Sequence, residues 1–364
     1  MTGERYSGLM SGTSLDGVDA ALVDLSGKLP GLISSARQPF DSALRAALLA
    51  LNSSGDDEIE RAAVAANELA RRYAAAVEAV LHASSTGRNE VRAIGCHGQT
   101  VRHRPDRGYT TQIGNAALLA ELSGIRVVAD FRSRDVAAGG QGAPLAPALH
   151  AALFQVDGED RAVLNLGGVA NVTRLARDGS VGGFDCGPGN CLMDLWCSLH
   201  LRLPFDHAGE WAARGRIIPD LLGQMRQEPY FALPPPKSTG RDLFNEAWLR
   251  AKLSPSDEPQ AVQATLLELT ARSIADAIER HCPHTRRVIV CGGGTKNVAL
   301  MVRLQELLKP VPLEPSDRHG VDPLLVEAIA FAWLARQALH GVPGNLPSVT
   351  GAHGRRVLGA VYPP

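Results

Sequence analysis

The amino-acid sequence predicts an α/β protein of two lobes. Three observations point there: helical and extended segments alternate along the chain, a strand–glycine–strand pattern opens each half, and 364 residues exceed what one hydrophobic core normally holds. The expected partition is residues 1–142 plus 344–364 for the first lobe and 143–343 for the second, with a binding cleft between them.

The elements follow in order. Residues 6–25 predict a β-hairpin, with an apolar run ending at Met10, a turn rich in Gly, Ser, Thr and Asp, and a return strand alternating through Val18, Ala20 and Leu22. The Ala-rich stretch 57–82 has no internal Gly or Pro and carries acids in its first turn, which predicts a helix. Short strands are expected at 91–95 and 125–129. After the Gly/Pro-rich residues 139–144 the pattern restarts, with a second hairpin over 161–175 around Gly167 and Gly168. Helices are expected over 191–201, where Leu192, Leu195, Trp196 and Leu199 share a face, and over 260–281. Residues 288–291 read as a buried strand, followed by Gly292-Gly293-Gly294 and a helix whose Val298, Met301, Val302 and Leu308 share a face. Residues 326–339 read as a mostly buried helix, and the Pro/Gly-rich remainder as a connector.

Composition narrows the function. Lys and Arg number 37 against 38 Asp and Glu, so the net charge of -1 provides no strong pull toward nucleic acid or a membrane surface. No run reaches the roughly 18 apolar residues of a membrane helix, and the N-terminus lacks a basic stretch followed by an apolar one, so the expected location is the cytoplasm. The six cysteines form no Cys-x-x-Cys pair, which argues against a zinc ribbon or a disulfide framework. His281-Cys282-Pro283-His284 is read as the positively charged end of a helix rather than a metal site.

Three glycine-rich turns each lie beside a strand. Backbone N–H groups in such turns can approach a polyanion because no Cβ blocks them. The candidates for nucleotide contact are Gly12, Thr13, Ser14, Leu15, Asp16, Gly17, Val18 and Asp19 in the first turn, Gly167 and Gly168 in the second, and Gly292, Gly293, Gly294 and Asn297 in the third. Thr13 and Ser14 add hydroxyl donors, and Asp16 and Asp19 add carboxylates suited to Mg2+. Any one of these turns alone is equally a tight turn with no ligand. The Walker A spacing is missing, since no glycine stands at the positions upstream of Lys237-Ser238 that the pattern needs, and the turn after Val290 lacks the dinucleotide-binding spacing.

Several blocks carry a family resemblance: Gly12 through Asp19; Gly95-Cys96-His97-Gly98-Gln99-Thr100-Val101-Arg102-His103; Ala129-Asp130-Phe131-Arg132 with the following residues 135–144; Gly183-Phe184-Asp185-Cys186-Gly187-Pro188-Gly189-Asn190; Pro234-Pro235-Pro236-Lys237-Ser238-Thr239-Gly240-Arg241; and Cys291-Gly292-Gly293-Gly294. In this order over nearly the whole chain, the sequence resembles anhydro-N-acetylmuramic acid kinases. Cys186, Cys96 and Asn115 depart from the Thr, Ser and Asp common in that family. The resemblance implies a two-lobed actin/Hsp70/hexokinase-like (ribonuclease H-like) fold with an interdomain ATP cleft. It also implies Mg2+-dependent use of ATP on a small amino sugar, a role in murein recycling, and a homodimer.

For the site, it implies Asp185 as the catalytic base and His97, Gln99, Asp130, Arg132 and Glu327 as sugar contacts, Arg132 being suited to a carboxylate by its planar fork. Read from the residues alone, Asp185 can equally make a local turn, His97 cap a strand and Arg132 join a structural ion pair. The residues from Lys237 to Arg241 follow three prolines and are expected on a stiff loop lining the cleft. Two other classes compete. An ATP-driven protein clamp would call for an exposed peptide-binding domain, and a plain glycoside hydrolase for two catalytic carboxylates but no phosphate turns.

Overall fold

The computed structural model describes residues 3–12, 15–240 and 243–364. The chain divides into two compact units, one of Met1–Leu149 with Leu325–Pro364, the other of His150–Leu324.

The first unit is built on a mixed sheet. Its strands are β1 (Arg5–Met10), β2 (Gly17–Asp24), β3 (Gly31–Pro39), β4 (Val91–Cys96) and β7 (Val127–Ala129), joined by a closing strand Ala360–Tyr362; β5 (Gln99–Arg104) and β6 (Tyr109–Ile113) form a separate hairpin. The order runs closing strand, β7, β4, β1, β2, β3. The first three strands form an antiparallel meander, β4 joins β1 in parallel, and β7 joins β4 in parallel. The expected helix at 57–82 is present as Glu58–Ser84. Its Leu69, Tyr73, Val77 and Val80 recur at helical spacing and are buried against Leu9, Val18, Ala20 and Leu22 of the sheet.

The opposite face of this sheet is covered by the helix Val326–Leu339. Residues 325–343 were expected in the second lobe, and the structure assigns this helix to the first unit instead. The cause lies in two glycines of the central strands. A Cβ on Gly8 would sit 1.8 Å from the Ala328 carbonyl oxygen, and one on Gly95 would sit 1.9 Å from that of Phe331. Only glycine admits the helix backbone this close to the sheet.

The second unit repeats the plan. Its strands are β8 (Arg161–Leu166), β9 (Val169–Leu175), β10 (Val181–Pro188), β11 (Arg287–Cys291) and β12 (Leu313–Pro315), in the order β10, β9, β8, β11, β12. Again a three-stranded meander comes first and two parallel strands add beside its first member. The helix Pro259–His281 buries Leu266, Leu269, Ile274 and Ile278 in one core with Leu164, Leu166 and Phe184. The expected face of the helix Val298–Leu308 is corrected: Leu300, Leu304 and Leu308 are buried, while Val298 and Val302 are exposed. In Cys191–Leu201, likewise, Leu199 is exposed and Cys191, Met193 and Cys197 are buried with Leu192 and Trp196. In both helices leucines or cysteines one or two positions away enter the core shared with the helix Pro259–His281, so aliphatic character alone misjudged the stripe by part of a turn.

Candidate active site

The first glycine-rich turn joins β1 to β2. Thr13 and Ser14 lie outside the described residues. Leu15 has a left-handed backbone (φ 55°) with its side chain in the core, and its amide donates to the Gly12 carbonyl at 3.3 Å. Gly17 and Val18 begin β2, with Val18 fully buried. Backbone is therefore what Leu15, Gly17 and Val18 have to offer a ligand. The carboxylates of Asp16 and Asp19 both face Arg37 on β3, Asp19 at 3.8 Å.

A chain of hydrogen bonds links this turn to the predicted sugar contacts. Gln99 donates from Nε2 to the Gly12 carbonyl at 3.2 Å, and its Oε1 is buried without a partner among the described residues. The His97 ring lies between Ser11 and Arg132. Arg132 can only donate, and its Nε and Nη2 reach the Nε2 of His97 at 3.2 and 2.9 Å. That nitrogen must be the unprotonated acceptor, so Nδ1 carries the proton and donates to the Ser11 carbonyl at 3.3 Å. Burial, reinforced by the Arg132 charge, holds the ring pKa down to about 3. Its other face packs on Phe331, with ring centroids 4.7 Å apart. Arg132 is also anchored through Nη1 to the Gly142 carbonyl at 2.7 Å. His97, expected as a sugar contact, thus also holds Arg132.

Beside these residues is a pocket of about 250 Å³, lined by Tyr73, His97, Thr110, Gln112, Asn115 and Asp130 among others. Asp130 is exposed, in a left-handed conformation, and accepts from the Ser133 amide at 3.3 Å. Arg132 and Gln99 are outside the pocket lining. Glu327 sits half-buried in the first turn of the helix Val326–Leu339. Asn115 caps the helix Ala116–Ser123 by accepting from the Leu118 amide at 2.9 Å. An Asp would do the same, which explains how either residue fits. Burial pushes the Cys96 thiol up to about 12, so this cysteine is an inert neutral wall.

Sequence reasoning missed Tyr73, Thr110 and Gln112, which the β5–β6 hairpin and the helix Glu58–Ser84 deliver. It also missed Asp135, a fully buried carboxylate that accepts from the Gly142 amide, the Asn345 amide group and the Thr350 hydroxyl at 2.7–2.8 Å. Asp135 ties the 139–142 loop, and hence the Arg132 anchor, to the C-terminal segment.

In the second unit the Gly167–Gly168 turn joins β8 to β9. Its carbonyls receive the amides of Gly189, Asn190 and Cys191 at 2.9–3.1 Å, which seats the start of the helix Cys191–Leu201 on the turn. Gly292 has φ 88° and lies where a Cβ would meet the Asn165 side chain at 2.5 Å, so glycine is required there on both counts. Gly293 faces open space, whereas Gly294 packs on Leu166. Asn297 caps the helix Val298–Leu308, accepting from the Leu300 amide at 3.0 Å. Its side-chain oxygen is thereby committed to the fold.

Asp185 was expected in a turn ahead of a helix. It lies instead within β10, at a bulge where the register against β9 shifts between Asp185 and Gly187. The bulge bends the strand and re-aims the side chain. Residues from the 230–239 segment hold Asp185. Its amide donates to the Lys237 carbonyl at 3.1 Å, its carbonyl accepts from the Tyr230 hydroxyl at 2.8 Å, and its Oδ2 accepts from the Thr239 amide at 3.0 Å. A carboxylate oriented by a backbone N–H and displayed at a bulge can accept a proton from a bound water. Among the described residues no group of three or more His, Cys, Asp or Glu could hold a metal ion, the 281–284 cluster included, and no helix is long and apolar enough to cross a membrane.

The repeated sheet order, each copy opening on a hairpin with a glycine-bearing turn, defines the chain as a two-unit protein of the actin/Hsp70/hexokinase class. Comparison with known proteins narrows this. The family model for anhydro-N-acetylmuramic acid kinase matches residues 4–364. Anhydro-N-acetylmuramic acid kinases similar to the chain include that of Variovorax paradoxus, 55% identical over 100% of both chains. That of Bordetella pertussis is 56% identical over 99% of this chain and 96% of its own, and that of Nitrosomonas europaea 52% over 98% and 99%. The chain belongs to the anhydro-N-acetylmuramic acid kinase family.

Proposed function

We propose that the protein is an ATP-dependent kinase that opens the 1,6-anhydro ring of 1,6-anhydro-N-acetylmuramic acid with water and phosphorylates O6. The products are N-acetylmuramic acid 6-phosphate and ADP, and the process served is recycling of cell-wall murein. The observation that carries this reading is the family match over residues 4–364, all but the first three residues of the chain.

The residues take the following roles. Asp185 removes the proton from water as the water oxygen bonds to C1. The C1–O6 bond breaks, and O6 takes the γ-phosphoryl group of ATP, so the phosphoryl group replaces the proton that a glycosidase acid would supply. One carboxylate base then suffices. The polar pocket of the first unit receives the sugar, with Asp130 and Gln112 facing its hydroxyl and acetamido groups. Arg132, held by His97 and by the Gly142 carbonyl, pairs with the lactyl carboxylate. Glu327 is a further sugar contact. The amides of the 12–19, 167–168 and 292–294 turns serve the nucleotide.

Mg2+ fits this donor set as a cation carried largely by the phosphates. Asp16 and Asp19 provide two carboxylates beside the first turn, and no all-protein cage exists among the described residues. When bound, it would offset the charge developing on the phosphate oxygens. We place the protein in the cytoplasm as a homodimer, which light scattering at micromolar concentration tests: a monomer mass rejects the dimer.

The site assignment is tested with Asp185→Asn, which should abolish turnover while nucleotide affinity stays near wild type. Retention of more than roughly a few per cent of the activity would remove Asp185 from the base role, given the size of general-base contributions.

A further inference from the structure

We propose that the 229–239 segment is a positioning clamp for Asp185, with Tyr230 and Lys237 as its positioning residues. The proposal rests on the assignment of Asp185 as the base and deepens it.

Three separate polar groups of Asp185 are fixed by this one short segment. The Tyr230 hydroxyl holds its carbonyl, the Lys237 carbonyl receives its amide, and the Thr239 amide holds its carboxylate. At a β-bulge the ladder to the neighbouring strand is locally broken, so residues there lack the alignment that regular pairing provides. The clamp replaces that alignment. Its own shape depends on the Lys237 ammonium, which lies 4.7 Å from the centre of the Tyr230 ring and donates to the carbonyls of Tyr230 and Phe231 at 3.3 and 3.4 Å. The two ends of the segment are thereby cross-tied, with Tyr230 at one end and Lys237 at the other.

The ties have a rigid base. Tyr230 is 6% exposed and meets Phe244 edge-on at 5.9 Å, while Phe231 stacks on Phe244 at 5.6 Å. Phe231 also covers Gly187, where a Cβ would lie 2.6 Å from its ring. The neighbours of Lys237 are both charged and neutral. Asp185 and Cys186 come from β10, and Arg280 and His281 from the helix Pro259–His281. Burial pulls the Lys237 ammonium below its usual range, with Arg280 adding to the effect and Asp185 opposing it. Lys237 therefore does two jobs: it ties the segment and places a positive charge near the base. The hydroxyl of Thr239 is buried with no partner among the described residues, beside the carboxylate that its own amide holds.

The experiment is steady-state kinetics of the full-length enzyme on 1,6-anhydro-N-acetylmuramic acid and ATP, with thermal denaturation of each variant. Lys237→Met should lower kcat by about 10- to 100-fold, the scale of a misplacement of about 1 Å at a reacting group, with the KM for ATP changed by less than about twofold. The acid limb of its kcat profile should move to higher pH, because the carboxylate loses a nearby cation that favours its ionised form. Tyr230→Phe removes a single hydroxyl and should lower kcat by about 3- to 10-fold, as expected for a lost neutral hydrogen bond, with that limb in place.

Lys237→Arg should recover part of the charge effect but not the geometry. If Lys237→Met fails to fold, Tyr230→Phe decides. Wild-type kcat in the variants that fold, or a loss matched equally in the KM for ATP, would overturn the clamp. The base assignment fails separately, through activity retained by Asp185→Asn; an inactive Asp185→Asn with fully active loop variants sinks the clamp alone.

Discussion

Replacing His97 with Ala tests how the first unit prepares its arginine. The substitution removes the Nε2 acceptor that faces Arg132 Nε and Nη2 at 3.2 and 2.9 Å, and it leaves the Ser11 carbonyl without its 3.3 Å donor. Hydrogen bonds to a charged group contribute about 1.5–3 kcal/mol, and about 1.4 kcal/mol is a tenfold change. The expected loss in kcat/KM for the muramic sugar is therefore about 10- to 150-fold. The KM for ATP should change by less than about twofold, because Arg132 is assigned to the sugar carboxylate. His97→Gln, which restores an acceptor near the Nε2 position, should recover part of the loss. Since the ring stays neutral down to about pH 3, neither variant should remove a titration step between pH 5 and 8 from the wild-type profile. Initial rates at varied sugar and fixed ATP, then the reverse, provide the comparison. Equal losses for both substrates, or full activity in His97→Ala, would refute the positioning of Arg132 by His97.

Three further outcomes follow from the fold. His97 and His150 are both held at a pKa of about 3, against an ordinary value of 6.5, chiefly by burial. Between these values the unfolded chain binds protons that the folded chain refuses, so their stabilising contribution is complete above pH 6.5 and is lost as pH falls toward 3. At pH 5 that loss is about 2 kcal/mol for each histidine, seen as a lower urea midpoint than at pH 7.5. His150→Asn, which can keep a bond to the Thr173 hydroxyl at 2.8 Å without titrating, should flatten the slope, and an unchanged slope would count against it. Gly95→Ala forces a methyl group to within 1.9 Å of the Phe331 carbonyl and should lower the melting temperature by at least about 3 °C, the cost of roughly 1–3 kcal/mol of overpacking. Asn115→Ala should destabilise by about 1 kcal/mol through loss of the Leu118 cap, and Asn115→Asp should not.

Much of the plan was legible in the sequence because it is written in local pattern. The two hairpins, the helix Glu58–Ser84 and the helix Pro259–His281 each carry their own periodicity and breakers, and all four are in the structure. What stayed hidden depends on distant partners. Strand β3 is mostly exposed and mixed in composition, so no apolar alternation marks it. Gly8 and Gly95 look like ordinary strand glycines until the helix Val326–Leu339, more than 200 residues later, is laid across them. The pocket residues Thr110 and Gln112 belong to a hairpin of mostly polar residues that carries no apolar alternation.

The candidate site divides in the same way. The glycine turns stood out by residue type and the Asp130–Arg132 pair through the family resemblance, but the sequence could not show that Arg132 would be held by the uncharged nitrogen of His97. Nor could it show that Asn297 is occupied as a helix cap. Asp185 was singled out by its motif, yet the bulge that displays it and the Tyr230 hydroxyl that holds it are products of tertiary packing.

The central claim, that one enzyme couples ring opening to phosphorylation, is tested most directly by following ADP release in oxygen-18 water with and without 1,6-anhydro-N-acetylmuramic acid. The account predicts ADP release that depends strongly on the sugar, with the label at C1 of N-acetylmuramic acid 6-phosphate and none on the phosphoryl group. Sugar-independent ADP release, or label appearing in inorganic phosphate in its place, would contradict it.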